Sequence, residues 1–120
     1  MTLWGSGEVY REFLHTDDLG RAVVHVMGRG RVADLPDGMV NVGTGSDLTI
    51  RELAALVQRI VGHEGEIHWD PTKPDGTPRK LLDVSRIRAL GWQPAILLEE
   101  GLRMTYDWYR ENVAARNAEG

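Results

Sequence analysis

The segment KPDGTPRK, residues 73–80, combines a stiff backbone with positive charge in a chain whose formal net charge is -4. A connector that only turns the chain needs no more than the Asp-Gly pair, because glycine supplies the positive φ of a tight turn. The two prolines restrict the free loop, so a bound anion would cost little further ordering. The segment therefore suits a diphosphate, whose charges would meet Lys73, Arg79 and Lys80.

Asp75 adds a hydrogen-bond acceptor beside these cations. Guanine presents adjacent N–H donors on its Watson–Crick edge, and a carboxylate can accept both, so Asp75 could favour guanine over uracil. The alternative is a solvated basic turn that holds no ligand. The residues of the loop fit both interpretations equally well.

Two residues near the start of the chain have side chains suited to the same ligand. Arg11, in REFL, could face an anion, or it could form a salt bridge with Glu12, Asp17 or Asp18. Trp4 lies in a glycine-flanked loop and could stack on a base or sugar, or anchor its loop to the core. The sequence leaves both pairs of alternatives open.

Motifs for cofactor or metal binding are weak in this sequence. The stretches WGSG, GRGR and VGTGSD form neither a G-x-G-x-x-G nor a Walker pattern. VGTGSD precedes a predicted helix, where it could hold an anion, although a turn that simply needs glycine is the favoured interpretation. The four histidines lack zinc-ligand spacing and no catalytic triad is supported, so we expect no metal site.

Composition predicts one globular domain over residues 1–120, with a frayed tail at 114–120. The chain is 42% hydrophobic and 27% charged, and its acidic balance opposes nonspecific nucleic-acid binding. It has no cysteine, which fits a reducing compartment, and no apolar run long enough to span a membrane. We therefore expect a cytoplasmic protein without a membrane or nucleic-acid partner.

Apolar spacing predicts about four helices and three short strands. The best-marked helix covers 49–61, because apolar residues recur on one face and Thr49 and Glu52 form a Ser/Thr-x-x-Glu capping box. Another helix follows HTDD and continues to Met27, with N-cap candidates Thr16, Asp17 and Asp18. The remaining helices are predicted at 83–90 and 98–113.

Strands are predicted at 11–14, at 39–43 (MVNVG) and in GEIHW. MVNVG is apolar on both faces, which is typical of a sheet covered on both sides. The order of elements indicates an α/β or mixed α+β fold with too few strands for a complete doubly wound sheet.

Three segments, in this order, resemble one enzyme family. They are WGSG...REFLHTDDLGRAVVHVM, VNVGTGSDLTIRELAALVQRIVG and KPDGTPRKLLDVSRIRALGW, and together they extend over about 3–112. The sequence resembles the C-terminal third of the GDP-L-fucose synthases, which are extended short-chain dehydrogenases/reductases of the NAD-dependent epimerase/dehydratase family. R-x-F-x-H-x-D-D is shared with related nucleotide-sugar epimerases and dehydratases, whereas KPDGTPRKLLD is specific.

The resemblance implies the small C-terminal substrate domain of an NADP-dependent epimerase-reductase, without its Rossmann domain. The family enzyme converts GDP-4-keto-6-deoxymannose to GDP-L-fucose. In that family the matching arginine lies near the diphosphate, and the matching loop meets the nucleotide. The residues implied to bind substrate are Trp4, Arg11, Asp75, Lys80, Lys73 and Arg79.

The family's NADP fingerprint, catalytic serine, Tyr-x-x-x-Lys pair, and acid/base cysteine and histidine would all precede residue 1. The chain has no cysteine, and YDWYR at 106–110 has no lysine at the required offset. We therefore expect no catalysis and no bound cofactor in this chain alone, a GDP-sugar ligand, and a separate Rossmann half or self-association. The alternative is a free-standing nucleotide-diphosphate binding module or a structural remnant of another nucleotide-sugar epimerase/dehydratase.

Overall fold

The computed structural model describes residues 1–29 and 35–115, which form four α-helices and five short strands. The helices are α1 (Thr16–Arg29), α2 (Ile50–Val61), α3 (Ser85–Ala89) and α4 (Leu98–Tyr109). The strands are β1 (Thr2–Trp4), β2 (Tyr10–Arg11), β3 (Leu48–Thr49), β4 (His68–Asp70) and β5 (Arg79–Lys80). A 3-10 turn covers Pro36–Gly38, and a π-helical turn, Arg110–Ala114, continues α4. The mixed fold with few short strands and about four helices is confirmed.

The strands form two small sheets that join distant parts of the sequence. β1 and β4 pair in parallel, with Leu3 opposite Trp69. The second sheet has the strand order β3-β2-β5, in which β2 is antiparallel to β3 and parallel to β5. Of the strand predicted at 11–14, only Arg11 lies in a strand, since β2 begins at Tyr10 and ends at Arg11. The strand predicted in GEIHW is found as β4.

Helix α2 has the ends that the sequence predicts. Thr49 Oγ1 accepts the backbone N–H of Glu52 at 3.1 Å, and the Glu52 carboxylate accepts the backbone N–H of Thr49 at 2.7 Å. Gly62 ends the helix at a φ of 70°, a left-handed conformation that glycine adopts without strain. Local signals at both ends therefore fix this helix.

Helix α1 lies where it is predicted, but its N-cap differs from the three candidates. Thr16 is already the first helical residue, and His15 Nδ1 accepts the backbone N–H of Asp17 at 3.2 Å. Asp17 is exposed to solvent. The N-cap prediction is wrong because the preceding imidazole takes the place of a capping oxygen.

Asp18 joins α1 to the segment that leads into α4. Its side chain is almost fully buried, at 1% exposure, and its Oδ2 accepts the backbone N–H groups of Ile96 at 2.8 Å and Ala95 at 3.1 Å. Burial raises the pKa of Asp18, but the two backbone hydrogen bonds and the Arg21 guanidinium lower it by more, so the pKa lies below its ordinary value. The buried acid is therefore held ionised.

The strand predicted at 39–43 is not present among the described residues. Val40 and Val42 pack against the core, whereas Met39 is 67% exposed. An apolar segment becomes a strand only where a neighbouring strand supplies backbone partners, and none lies beside it here. Part of the GRGR stretch, at 28–31, and most of the tail predicted to fray, at 114–120, lie outside the described residues.

The buried core is small for a chain of this length. It consists of Ala22, Val84, Ile87 and Trp92, with partly buried apolar side chains around it. The chain exposes 8576 Å², whereas a compact protein of 13.4 kDa exposes about 6500 Å². Its radius of gyration is 17.8 Å, against about 14 Å for a compact domain of the same length. Among the described helices, none is long and apolar enough to cross a bilayer.

Replacement of Asp18 with alanine should destabilise the fold by about 2–4 kcal/mol, because the backbone N–H groups of Ala95 and Ile96 lose a charged acceptor that is almost fully buried. The free energy of unfolding, measured in urea, checks this value. Asp17→Ala is the matched control, since Asp17 is exposed and should change stability by less than about 0.5 kcal/mol. Equal losses in the two variants would contradict the structural role of Asp18.

Candidate functional site

The register of the second sheet places two cations side by side. Arg11 pairs with Lys80, and Tyr10 pairs with Arg79, across the parallel strands β2 and β5. Because side chains alternate along a strand, Arg11 and Lys80 share one face and Tyr10 and Arg79 share the other. The sheet therefore brings together two of the four predicted cations and turns Arg79 away from them.

Arg11 binds backbone oxygens and not a carboxylate. Its Nη1 donates to the carbonyl oxygens of Tyr10 at 2.6 Å and Thr77 at 2.7 Å, which ties β2 to the basic loop. Among the described residues Arg11 has no carboxylate partner, so the salt-bridge alternative is wrong. Glu12 and Asp18 accept backbone N–H groups elsewhere, and Asp17 lies 4.0 Å from the imidazole of His15. Within the described residues, the side-chain ammonium of Lys80 has neither a hydrogen-bond partner nor an ion-pair partner. No carboxylate in the described part of the chain therefore neutralises the positive charge of this face.

Arg79 is engaged by a carboxylate. Its Nε and Nη2 donate to Asp47 at 2.6 and 3.0 Å, and its guanidinium lies 5.5 Å from the centre of the Tyr10 ring. The hydrogen bonds to Asp47 are the main cause that raises the pKa of Arg79 above its ordinary value. Arg79 thus forms an ion pair with another residue of the chain. The basic residues around it in the sequence had instead suggested a role in binding an anion.

Asp75 fastens the basic loop to the segment after β1. Its Oδ1 accepts the backbone N–H of Ser6 at 2.6 Å and its Oδ2 accepts the Ser6 hydroxyl at 2.7 Å. The Ser6 hydroxyl, followed by its backbone N–H, lowers the pKa of Asp75 below the ordinary value. Gly5 has a φ of 81°, and a Cβ there would collide with the Asp75 carboxylate, so this contact requires glycine. We call these contacts the Ser6–Asp75 clasp.

Trp4 and Lys73 lie together beside the clasp. The Lys73 ammonium is 5.7 Å from the centre of the Trp4 ring, and Trp4 is 75% exposed. The alternative in which Trp4 anchors its loop to the core is therefore wrong for this chain. An exposed indole with a cation over one face is available to stack on a ligand ring.

Glu12 is a structural residue that sequence reasoning missed. Its Oε1 accepts the backbone N–H of Gly45 at 2.6 Å, and its Oε2 accepts the backbone N–H of Leu82 at 3.1 Å. The VGTGSD turn thus meets an anion, but the anion is the chain's own carboxylate. The available signal was the strand alternation, which places Glu12 on the face opposite Arg11.

The predicted residues form an open surface. A cavity of about 470 Å³ lies between α2 and β4, and one of about 180 Å³ lies between the 13–16 segment and α4, and neither is lined by any of the six residues. In the part of the chain that the structure describes, no three His, Asp or Glu side chains are arranged to hold a metal ion.

Comparisons with known proteins give consistent results. GDP-L-fucose synthase 1 of Arabidopsis thaliana is 51% identical over 97% of this chain and 35% of its own length. GDP-L-fucose synthase of Escherichia coli (strain K12) is 50% identical over 93% of this chain and 36% of its own length. The solved structure of MlghC, a GDP-mannoheptose C4 reductase from Campylobacter jejuni with NADP bound, matches with a TM-score of 0.83 and 39% identity, over 91% of this chain and 34% of that chain. No family model matches the chain.

The fold and these relatives define the class of the chain, which is the C-terminal part of an extended short-chain dehydrogenase/reductase. Within this class the chain belongs to the GDP-L-fucose synthase family, since curated members share about half of its residues over nearly its whole length. The chain spans about a third of the length of these relatives. The resemblance seen in the three sequence segments is therefore confirmed.

Loss of the Ser6–Asp75 clasp should be visible at a single amide. Asp75→Ala removes the acceptor of the Ser6 N–H, so exchange of this amide should accelerate about tenfold. Hydrogen exchange followed by NMR measures the rate. Ser6→Ala is the control, because it removes only the hydroxyl and leaves the backbone N–H bonded, and it should accelerate exchange less. An unchanged rate in Asp75→Ala would show that the clasp does not form.

Proposed function

We propose that this chain is the GDP-sugar-binding portion of a GDP-L-fucose synthase. The whole reaction, NADPH-dependent 3,5-epimerisation and 4-reduction of GDP-4-keto-6-deoxy-D-mannose to GDP-L-fucose, is what membership of this family implies for the parent enzyme. The chain spans about a third of its relatives. Its part in that reaction is to bind and orient the nucleotide end of the substrate.

The observation that carries this proposal is the uncompensated basic pair Arg11 and Lys80. The two side chains share one face of adjacent strands, and no carboxylate among the described residues pairs with them. A nucleoside diphosphate carries at least two negative charges on neighbouring phosphates. Arginine binds phosphate oxygens through its planar fork, and lysine adds a mobile point charge.

The other end of the nucleotide would lie toward Trp4 and Asp75. Each Asp75 oxygen accepts one hydrogen bond from Ser6, and an ionised carboxylate has about four acceptor positions, so it can still accept N–H donors from guanine. Trp4 offers an exposed ring for stacking, and Lys73 lies over that ring. The Ser6–Asp75 clasp orders Trp4 and Asp75 before the ligand binds, which lowers the entropic cost of binding.

The residues of this chain do not fit NADP. The sequence contains neither G-x-G-x-x-G nor Tyr-x-x-x-Lys, and the amide of Gly45 in VGTGSD is already bonded to Glu12. No step of the cofactor chemistry is therefore assigned to this chain, and we propose that it is inactive without the rest of the parent fold.

A Rossmann half is the partner that we propose for the apolar surface of α1. Leu19, Val23 and Met27 recur every four residues on one face of the helix, and Val24 and Met27 are 71% and 80% exposed. The part of each relative that this chain does not match is about twice as long as the chain itself. The chain exposes about 2000 Å² more surface than a compact protein of its mass. This excess is comparable to the area that a stable protein–protein interface buries.

Calorimetry with the full chain tests the ligand. GDP should bind weakly, and Lys80→Ala and Arg11→Ala should each weaken binding about tenfold, because each removes a charged hydrogen-bond donor. Arg103→Ala is the control, since Arg103 pairs with Glu99 on α4. UDP should bind less tightly than GDP, and identical heats for the two would remove the guanine assignment of Asp75.

The same titration separates the alternatives. A free-standing nucleotide-diphosphate module would bind GDP without any response to a Rossmann half. A structural remnant would bind no nucleotide even when the upstream half of the Escherichia coli relative is supplied, and that result would overturn the proposed function.

Substitution on the outer face of α1 tests the partner. Val24→Asp and Met27→Asp should leave the thermal unfolding of the chain nearly unchanged, since both side chains are exposed, but should abolish association with the upstream half of a relative or with a second copy. Sedimentation velocity measures the association. His63→Asp adds the same charge at an exposed position beyond α2 and should have no effect. Association that survives both α1 substitutions would place the interface elsewhere.

A further inference from the structure

The pair formed by Asp47 and Arg79 crosses the second sheet. Arg79 lies on β5, and Asp47 directly precedes β3, so the two residues lie at opposite edges of the order β3-β2-β5. Tyr10 of the central strand lies beneath the guanidinium, with 5.5 Å from its ring centre to Arg79 Cζ. The pair therefore connects both edges of the sheet over its middle strand. We call it the Asp47–Arg79 strap.

The geometry of the strap depends on the shape of arginine. Nε and Nη2 donate to both oxygens of Asp47, whose side chain is only 6% exposed. A guanidinium can meet a carboxylate in this forked way and stack on a ring at the same time, whereas an ammonium cannot. The charge of Arg79 is largely compensated by Asp47, so Arg79 adds little to the attraction for a phosphate.

The sheet needs such a strap because its strands are very short. β2, β3 and β5 have two residues each, so few backbone hydrogen bonds hold the register. That register sets the position of Lys80 beside Arg11 on the opposite face. A shift of one residue would turn Lys80 to the wrong face.

We propose that Asp47 and Arg79 are positioning residues that hold Lys80 in register with Arg11, and that Arg79 does not itself contact the diphosphate. The inference rests on the proposed function, because it assigns the support of the same basic pair. It also revises the role that the family resemblance implies for Arg79.

Asp47→Asn separates the two roles of Arg79. If Arg79 belongs to the strap, the loss of its partner should weaken GDP binding about fivefold to tenfold, as coupled neighbouring residues do. If Arg79 is a phosphate ligand, the same substitution frees its guanidinium, and GDP binding should stay the same or become tighter. Arg79→Lys gives the second arm, because lysine keeps the charge and loses the fork. If Arg79 belongs to the strap, Arg79→Lys should weaken GDP binding as much as Asp47→Asn does. If Arg79 is a phosphate ligand, Arg79→Lys should retain GDP binding.

A double-mutant cycle shows whether the strap acts through Lys80. In a Lys80→Ala background, Asp47→Asn should have little further effect on GDP affinity, whereas a general loss of structure would weaken binding equally in both backgrounds. Glu99→Gln, which breaks the ion pairs of Glu99 with Arg59 and Arg103, is the control and should leave affinity unchanged. Unchanged or tighter GDP binding in Asp47→Asn would overturn the strap alone. Absence of GDP binding in the unaltered chain would instead overturn the proposed function.

Discussion

Carboxylates that accept distant backbone N–H groups hold this chain together. Its strands are two or three residues long, so sheet hydrogen bonds join few of its segments. Glu12 and Asp18 instead accept N–H groups from residues that lie 33 to 78 positions further along the chain. Because a hydrogen bond to a charged group contributes about 1.5–3 kcal/mol, these two acids help to determine which loops lie beside the segment that carries Arg11.

The basic face that carries Arg11 and Lys80 follows from this arrangement. Arg11 directly precedes Glu12, so the contacts that fix Glu12 also fix the end of β2. Arg11 then binds the carbonyl of Thr77 in the basic loop, and the parallel pairing of β5 brings Lys80 alongside. The clasp at Asp75 and the strap at Arg79 fasten the same loop at two further points. The result is a positive face on which, among the described residues, no carboxylate pairs with Arg11 or Lys80.

The sequence predicts features whose causes are local, and it misses those that need a distant partner. The capping box and Gly62 act within one helix, so the ends of α2 are found correctly. Asp18 is of a residue type that commonly caps helices, yet the backbone N–H groups that donate to it belong to Ala95 and Ile96, which no local pattern reveals. The apolar segment 39–43 resembles a buried strand, but strand formation requires a neighbour that the described chain does not supply. Arg79 is of a residue type that commonly binds phosphate, and only the fold shows that Asp47 lies within hydrogen-bond distance of it.

The most direct test of the basic face is a titration of isotope-labelled chain with GDP, followed by NMR at the arginine and lysine side chains. The largest chemical-shift changes are expected at the Arg11 guanidinium and the Lys80 ammonium, and smaller changes are expected at the Trp4 indole. Changes confined to the cavity between α2 and β4, around Arg51 and Trp69, with none at Arg11 or Lys80, would contradict it.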